Sequence, residues 1–284
     1  MTVGRDSNFS ISDDLIRQFQ RDGVACLRQV VDAPWRDGIA RAIERDYDDP
    51  GEYFHDYDGR GGRFHASSRR WQAHPELRDY IFHSPLPELA AGLLKSHKVN
   101  LLYDQIFSKE PDTPSPTPWH NDHTVWPIAG RQVISFWLAL DPVTAETGAM
   151  EFVRGSNAWG RKYRAESFSK SALDYDVTPD REPVPDIEAD RSAFDIVSWD
   201  MEPGDVLAFG SYALHAAGGN GSGTLRRRAY SVRYCGDDVV YEPGSATMPV
   251  LENHDLSPGQ PLDSELFPIV WRDGRSVTPA QVSA

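Results

Sequence analysis

Cysteine is scarce in this chain: two residues, Cys26 and Cys235, in a length of 284. They stand far apart in apolar, strand-like contexts and lack CxxC spacing, which argues against a disulfide scaffold, structural zinc or dithiol chemistry; both read as buried free thiols. Basic charge is also short. Lys and Arg number 29 against 43 Asp and Glu, a formal charge of −14, which disfavours a polyanion such as nucleic acid as partner and otherwise serves solubility. No stretch reaches the roughly eighteen apolar residues that suggest a membrane span, so no membrane partner is expected. No apolar run follows the single basic residue of Met1–Ser7, so a signal peptide is not expected and the expected location is cytoplasmic. Internal repeats and low-complexity tracts are missing as well.

What is present can fill one core: 39% apolar residues, 11% aromatic, eight of them Trp. A β-rich chain of this length commonly folds as one unit, and a single domain over 1–284 is expected. Ser12-Asp13-Asp14 predicts a helix start, with Leu15, Ile16 and Phe19 on one face and Gly23 as the stop. A strand is expected over Val24–Val31, a second helix from Asp32-Ala-Pro34, a loop over Asp46–Gly62, and short helices over Pro75–Phe82 and Leu86–Lys95. In the strand expected at Val99–Lys109, Tyr103, Gln105, Phe107 and Lys109 share a face, which is either a pocket wall or a solvent edge marked by Lys109. Gln132–Leu140 is apolar on both faces and reads as a central strand. Further strands are expected at Met150–Val153, Asp195–Met201, Asp205–Phe209 and Arg227–Tyr234, a lid or insertion at 160–195, and a loop-like tail from Ala246. Short strands with turns between them, and helices gathered near the N-terminus, predict a mainly β fold: an antiparallel double-sheet jelly roll flanked by helices.

The chemistry centres on Trp119–Trp126, Trp-His-Asn-Asp-His-Thr-Val-Trp. Its composition and flanking prolines suit a strand or strand end, where residues i and i+2 project from one face, so His120 and Asp122 point into one space. His123 would turn the other way. Among nine histidines, one beside an acid is weak evidence alone. The case rests on its conjunction with a central strand, with the distal His215, and with a basic cluster, Arg226-Arg227-Arg228. Two imidazoles and a carboxylate on one side of a metal form the facial triad of non-haem Fe(II) sites, and the missing thiolates argue against structural zinc. An arginine beside such a site can grip a carboxylate through two parallel hydrogen bonds. Strand alternation puts Arg227 with the small residues Ala229 and Ser231, which leave room for a ligand.

In Thr117-Pro-Trp-His120-Asn-Asp122, Trp126-Pro127, Leu138-Ala-Leu-Asp-Pro142, Gly155-Ser-Asn157, Pro203-Gly-Asp205, His215 with Asn220, and Arg227-Arg-Ala-Tyr-Ser, most of the chain resembles the phytanoyl-CoA dioxygenase family of Fe(II)- and 2-oxoglutarate-dependent oxygenases. The resemblance implies that His120, Asp122 and His215 bind iron and act in catalysis, that Arg227 holds the distal carboxylate of 2-oxoglutarate, and that O2 is the second co-substrate. It implies hydroxylation of an unactivated C–H bond of a small molecule with release of succinate and CO2. Related halogenases lack the carboxylate, so Asp122 implies hydroxylation over halogenation. The loop after His215 looks one residue longer than usual, so counting from His215 selects Arg226 where strand register selects Arg227; and the family's frequent Gly-Ser-His is Gly-Ser-Asn157 here. By likeness to members with small substrates, Gln105 and Ser135 contact 2-oxoglutarate while Tyr103 and Trp126 face the substrate. Tyr53, Phe54, Trp126 and Trp159 are the expected enclosure of an apolar or cationic molecule, and the acidic chain makes a heavily anionic acyl-CoA less attractive. The competing readings are a non-catalytic jelly-roll ligand-binding protein and a cupin-type metal hydrolase or isomerase. Oligomeric state has no signal in the sequence.

Overall fold

The computed structural model describes residues 11–57, 63–165, 178, 180–244, 247–253 and 255–277. Residues 166–177 and 179 of the expected insertion at 160–195, and the end of the loop expected over Asp46–Gly62, lie outside the described residues. Among the described residues four α-helices, interleaved with the first three strands, precede the long strand at Lys98–Lys109: α1 (Asp13–Asp22), α2 (Ala33–Asp48), α3 (Pro75–His83) and α4 (Leu86–Leu94). Their ends are where local chemistry predicts. The Ser12 hydroxyl accepts from the Leu15 N–H to open α1, and Gly23 closes it at φ 75°, a left-handed conformation that glycine adopts without penalty.

The strands are β1 (Val24–Leu27), β2 (Phe54–Asp56), β3 (Phe64–Ser68), β4 (Lys98–Lys109), β5 (Thr117–His120), β6 (Ile128–Ala129), β7 (Val133–Ala139), β8 (Met150–Val153), β9 (Ile196–Ser198), β10 (Val206–Gly210), β11 (His215–Ala217), β12 (Arg227–Cys235), β13 (Val240–Tyr241), β14 (Ile269–Arg272) and β15 (Arg275–Ser276). Among the described residues they form a nine-stranded sheet, in which β1-β10-β7-β12-β4-β14-β15 run side by side and β3 and β2 branch from β4, a four-stranded sheet β5-β11-β8-β9, and the pair β13-β6. All pairings are antiparallel.

Strand alternation sorts the core into layers. In β7, Ile134, Phe136 and Leu138 pack with the helices, while Trp137 and Ala139 face the smaller sheet. The neighbouring β12 does the same: Tyr230, Val232 and Tyr234 go to the helical layer and Ala229 to the inter-sheet layer. A one-residue slip would invert every one of these positions, so the register that positions the site is fixed by apolar burial worth about 1.5–3 kcal/mol per large side chain.

Three expectations are corrected. The segment after Asp46 begins inside α2, and Asp46 is fully buried because His65 and Arg70 both bond its carboxylate. Lys109 is not a solvent-edge residue: it is fully buried, its Nζ donating to the carbonyls of Ser115 and Gly218 at 2.9 and 2.6 Å. The tail is not all loop, because β14 pairs with β4 and caps an edge that would otherwise be open, with Val270 fully buried.

Candidate metal centre and its cavity

In the smaller sheet β5 and β11 pair with His120 directly opposite His215, their rings 4.2 Å apart between centroids. β5 ends at His120, and Asp122 opens a single 3-10 turn, Asp122–Thr124. Asn121 between them stays extended at φ −125°, ψ 145°, so Asp122 returns to the face of His120 even though the ladder has stopped. One candidate ligand atom from each of His120, Asp122 and His215 lies within 4.8 Å of the others. The two Nε2 atoms stand 3.5 and 3.8 Å from Asp122 Oδ1.

The backbone sets the tautomers. His120 Nδ1 is 2.8 Å from the Pro118 carbonyl and His215 Nδ1 is 3.0 Å from that of Ala213. A carbonyl only accepts, so each Nδ1 carries the proton and each Nε2 presents a lone pair to the centre. Asp122 Oδ2 is buried without a hydrogen-bond partner. Burial works to raise the Asp122 carboxyl, but His120 and His215 in their protonated forms, with the charge of Arg233, outweigh it and hold it below the usual carboxylate range. Burial, then the nearby His120, pushes His215 down to about 4. With both Nε2 atoms free of a proton, as a metal would require, the centre would offer two imidazole lone pairs and one carboxylate within 4.8 Å of one another, a donor set that fits a divalent iron. His123 is turned away, with Nδ1 2.9 Å from Ser211 Oγ and its ring stacked on Tyr212 at 4.0 Å.

The triad opens into a cavity between the sheets that is also lined by Tyr103, Gln105, Trp126, Trp137, Arg227 and Arg233. The three consecutive arginines separate cleanly. Arg226 is bonded to Glu44 at 2.7 Å and Glu110 at 3.1 Å, and Arg228 holds Asp141 through two bonds of 2.8 and 2.9 Å. Arg227 is 2% exposed, lies 5.3 Å from the Trp137 ring centroid, and keeps a buried Nε without a partner. Burial lowers its pKa to about 10. Register, not the count from His215, picks the arginine that faces the cavity.

Tyr103 and Trp126 wall the cavity together, the indole N–H donating to the Tyr103 hydroxyl at 3.2 Å. Ser135 does not reach it: its partners across the sheet are Phe209 and Arg233, whose longer side chains line the cavity above it. Tyr53 lines the cavity as expected, but Phe54 packs on His65 at 4.8 Å and Trp159 is 43% exposed, so neither encloses the site. Among the described residues the cavity's charged lining is Arg164, Arg227 and Arg233 against Asp122, which is unfavourable for the cationic guest that aromatics alone suggested. Sequence reasoning missed Arg233, although it shares the parity of Arg227, Ala229 and Ser231. It also left unnamed Arg164 and Val184, through which the 160–195 segment reaches the cavity.

No helix of the described residues is long and apolar enough to cross a membrane. Comparison with solved structures gives SnoK, a non-haem α-ketoglutarate-dependent carbocyclase from nogalamycin biosynthesis, at 26% identity and TM-score 0.72, covering 91% of this chain and 96% of that one. The epimerase SnoN, in complex with Fe3+, α-ketoglutarate and nogalamycin RO, aligns at 22% identity and TM-score 0.72 over 90% and 97% of the two chains. EctD from S. alaskensis with 2-oxoglutarate and 5-hydroxyectoine aligns at 18% identity and TM-score 0.63 over 82% and 78%. A curated relative, the multifunctional dioxygenase prhA of Penicillium brasilianum, is 31% identical over 115 residues, 40% of this chain and 32% of that protein's length. The model of the phytanoyl-CoA dioxygenase (PhyH) family matches residues 19–229, a span holding the whole triad and Arg227: the chain belongs to the phytanoyl-CoA dioxygenase family.

Proposed function

We propose that the protein is an Fe(II)- and 2-oxoglutarate-dependent dioxygenase that uses O2 to hydroxylate an unactivated C–H bond of a small molecule, with succinate and CO2 as co-products. The observation that carries this reading is the opening of the His120–Asp122–His215 triad and Arg227 onto one cavity. Unpaired buried groups at both places, Asp122 Oδ2 and Arg227 Nε, support it, because each is costly to bury alone and each matches a group that the co-substrate and its metal would bring.

His120, Asp122 and His215 hold the metal; the carbonyls of Pro118 and Ala213 keep both rings oriented with Nε2 forward. Arg227 binds the distal carboxylate of 2-oxoglutarate through its planar fork, and Gln105 offers an amide along the way. Bound there, iron and 2-oxoglutarate supply the oxidising chemistry that activates O2. Tyr103, Trp126 and Phe107 wall the substrate side, hold the target carbon and keep solvent out. Asp122 fills the place a halide would need, which favours hydroxylation over halogenation. The carbocyclase and epimerase among the similar structures favour a second outcome at the same centre, ring closure or inversion of a carbon. Product mass separates the three: gain of one oxygen, loss of two hydrogens, or no change.

The test needs no substrate. Fe(II) and then 2-oxoglutarate are added anaerobically to the metal-free protein, and the visible charge-transfer band of chelated 2-oxoglutarate is recorded beside His215→Ala. A band in the wild type that is absent from the variant supports the reading. A folded, iron-loaded wild type without a band refutes it and favours the ligand-binding or hydrolase alternative.

A further inference from the structure

Arg233 is 4% exposed and lines the cavity, yet its Nε and Nη1 are buried without hydrogen-bond partners and no ion pair is formed to it among the described residues. Arg70, another buried arginine, shows the usual arrangement: it is ion-paired with Asp46, and its Nη2 donates to the Asp49 carbonyl at 2.6 Å. Arg233 has instead two aromatic faces, Tyr103 at 4.5 Å and Phe107 at 5.7 Å from its guanidinium carbon. These rings orient the cation and leave its in-plane donors unused. A buried guanidinium with idle donors is a costly arrangement that an incoming anion would relieve.

Position separates Arg233 from the co-substrate. Arg227 pairs with Lys109, whose Nζ donates to Gly218, the residue after β11, so Arg227 lies at the end of the cavity away from His215, which opens that strand. Arg233 lies the other way along β12, opposite Tyr103. At about 3.3 Å per residue the two Cα atoms are roughly 20 Å apart, whereas the carbon chain of 2-oxoglutarate spans roughly 5 Å. The Arg233 guanidinium lies 4.5 Å from the Tyr103 ring, whose hydroxyl accepts from the Trp126 indole, and it lines the same cavity as the triad, so it stands on the side walled by those two rings.

We propose that Arg233 is a second anion site in the cavity and receives a carboxylate, or a comparably acidic oxygen, of the substrate to be oxidised, with Tyr103 and Trp126 against its apolar body. The proposal rests on the dioxygenase reading above and adds a substrate class to it. It also reconciles a chain of charge −14 with an acidic guest: Asp122, the metal ligand, is the one acid lining the cavity among the described residues.

The carboxylate could come from the substrate or from 2-oxoglutarate, and the experiment distinguishes them. Wild type, Arg233→Met, Arg233→Lys and Arg227→Met are loaded anaerobically with Fe(II) and titrated with 2-oxoglutarate; the charge-transfer band of each complex is then followed during titration with 3-phenylpropionate and, separately, 3-phenylpropionamide. The expected result is a wild type that prefers the acid by roughly ten- to a hundredfold, the worth of a charge-assisted hydrogen bond. Arg233→Met loses that preference while binding 2-oxoglutarate as the wild type does, and Arg233→Lys keeps part of it, so the proposal stays testable where the Met variant fails to fold. Equal binding of acid and amide, or binding of neither, overturns it. A loss of 2-oxoglutarate affinity in Arg233→Met as large as in Arg227→Met overturns it too, by assigning Arg233 to the co-substrate. Absence of the band in the wild type would refute the dioxygenase reading itself, a result distinct from all of these.

Discussion

Replacing Arg227 by Met is expected to move co-substrate affinity and apoprotein stability in opposite directions. In the apoprotein the guanidinium is 2% exposed, its Nε is unpaired, and the nearby carboxylate of Asp141 is already held by Arg228. Replacing even a whole buried ion pair by apolar residues is often neutral or stabilising by about 1–4 kcal/mol, and a methionine of similar length here removes a buried charge that has no such partner, so a melting temperature unchanged or a few degrees higher is expected. With 2-oxoglutarate bound the same substitution strands a buried carboxylate, at a cost of about 2–5 kcal/mol, or roughly thirtyfold to several thousandfold in affinity. Anaerobic titration of the charge-transfer band gives the affinity and scanning fluorimetry of the metal-free protein gives the stability. Arg226→Met, which breaks bonds to Glu44 and Glu110 outside the cavity, should leave 2-oxoglutarate affinity nearly unchanged. The reasoning fails if Arg227→Met binds 2-oxoglutarate within about threefold of wild type, under 1 kcal/mol, or if Arg226→Met is the more damaging variant.

Removing an iron ligand should be harsher on the metal than removing an outer hydrogen-bond partner: His215→Ala is expected to lose more than the roughly 10–100-fold in iron affinity that such a partner is worth, read by metal analysis after dialysis, and retained stoichiometric iron would count against the triad. Lys109 gives a pH signature. Burial and the charge of Arg227 push its amine from 10.5 down to about 6, so between these values the unfolded chain binds the proton that the folded chain does not, and the stability contribution present above 10.5 is lost as pH falls toward 6. Unfolding free energy should therefore decline more steeply over this window in wild type than in Lys109→Met; parallel curves from denaturant titrations would contradict it. Gly23→Ala places a Cβ at φ 75° and 2.5 Å from the Asn157 Cβ. The left-handed conformation alone costs about 1 kcal/mol, so a lower melting temperature is expected, and an unchanged one would mean that α1 and Asn157 separate freely.

The parts of the fold that were legible are those governed by local rules: the Ser12 cap, the Gly23 stop, and the two-residue periodicity of β7 and β12. What was hidden depended on partners distant in sequence. Asp46 reads as the start of an acidic loop until His65 and Arg70 are brought to it, Lys109 as an edge residue until Ser115 and Gly218 offer their carbonyls, and the tail as loop until β4 presents an open edge. The site divides along the same line. His120 and Asp122 are two apart, so any extended backbone brings them together, and Asn121 supplies it even though the strand has ended. Ser135 has the right parity and the wrong size, since the reach of its neighbours Phe209 and Arg233 is a property of the assembled sheet. Arg233 needed only the alternation that selected Arg227 to be carried on from Ser231. A charged residue on the cavity side of a central strand is costly wherever it stands, so continuing the alternation to the strand's end separates arginines that support the fold from those awaiting a ligand.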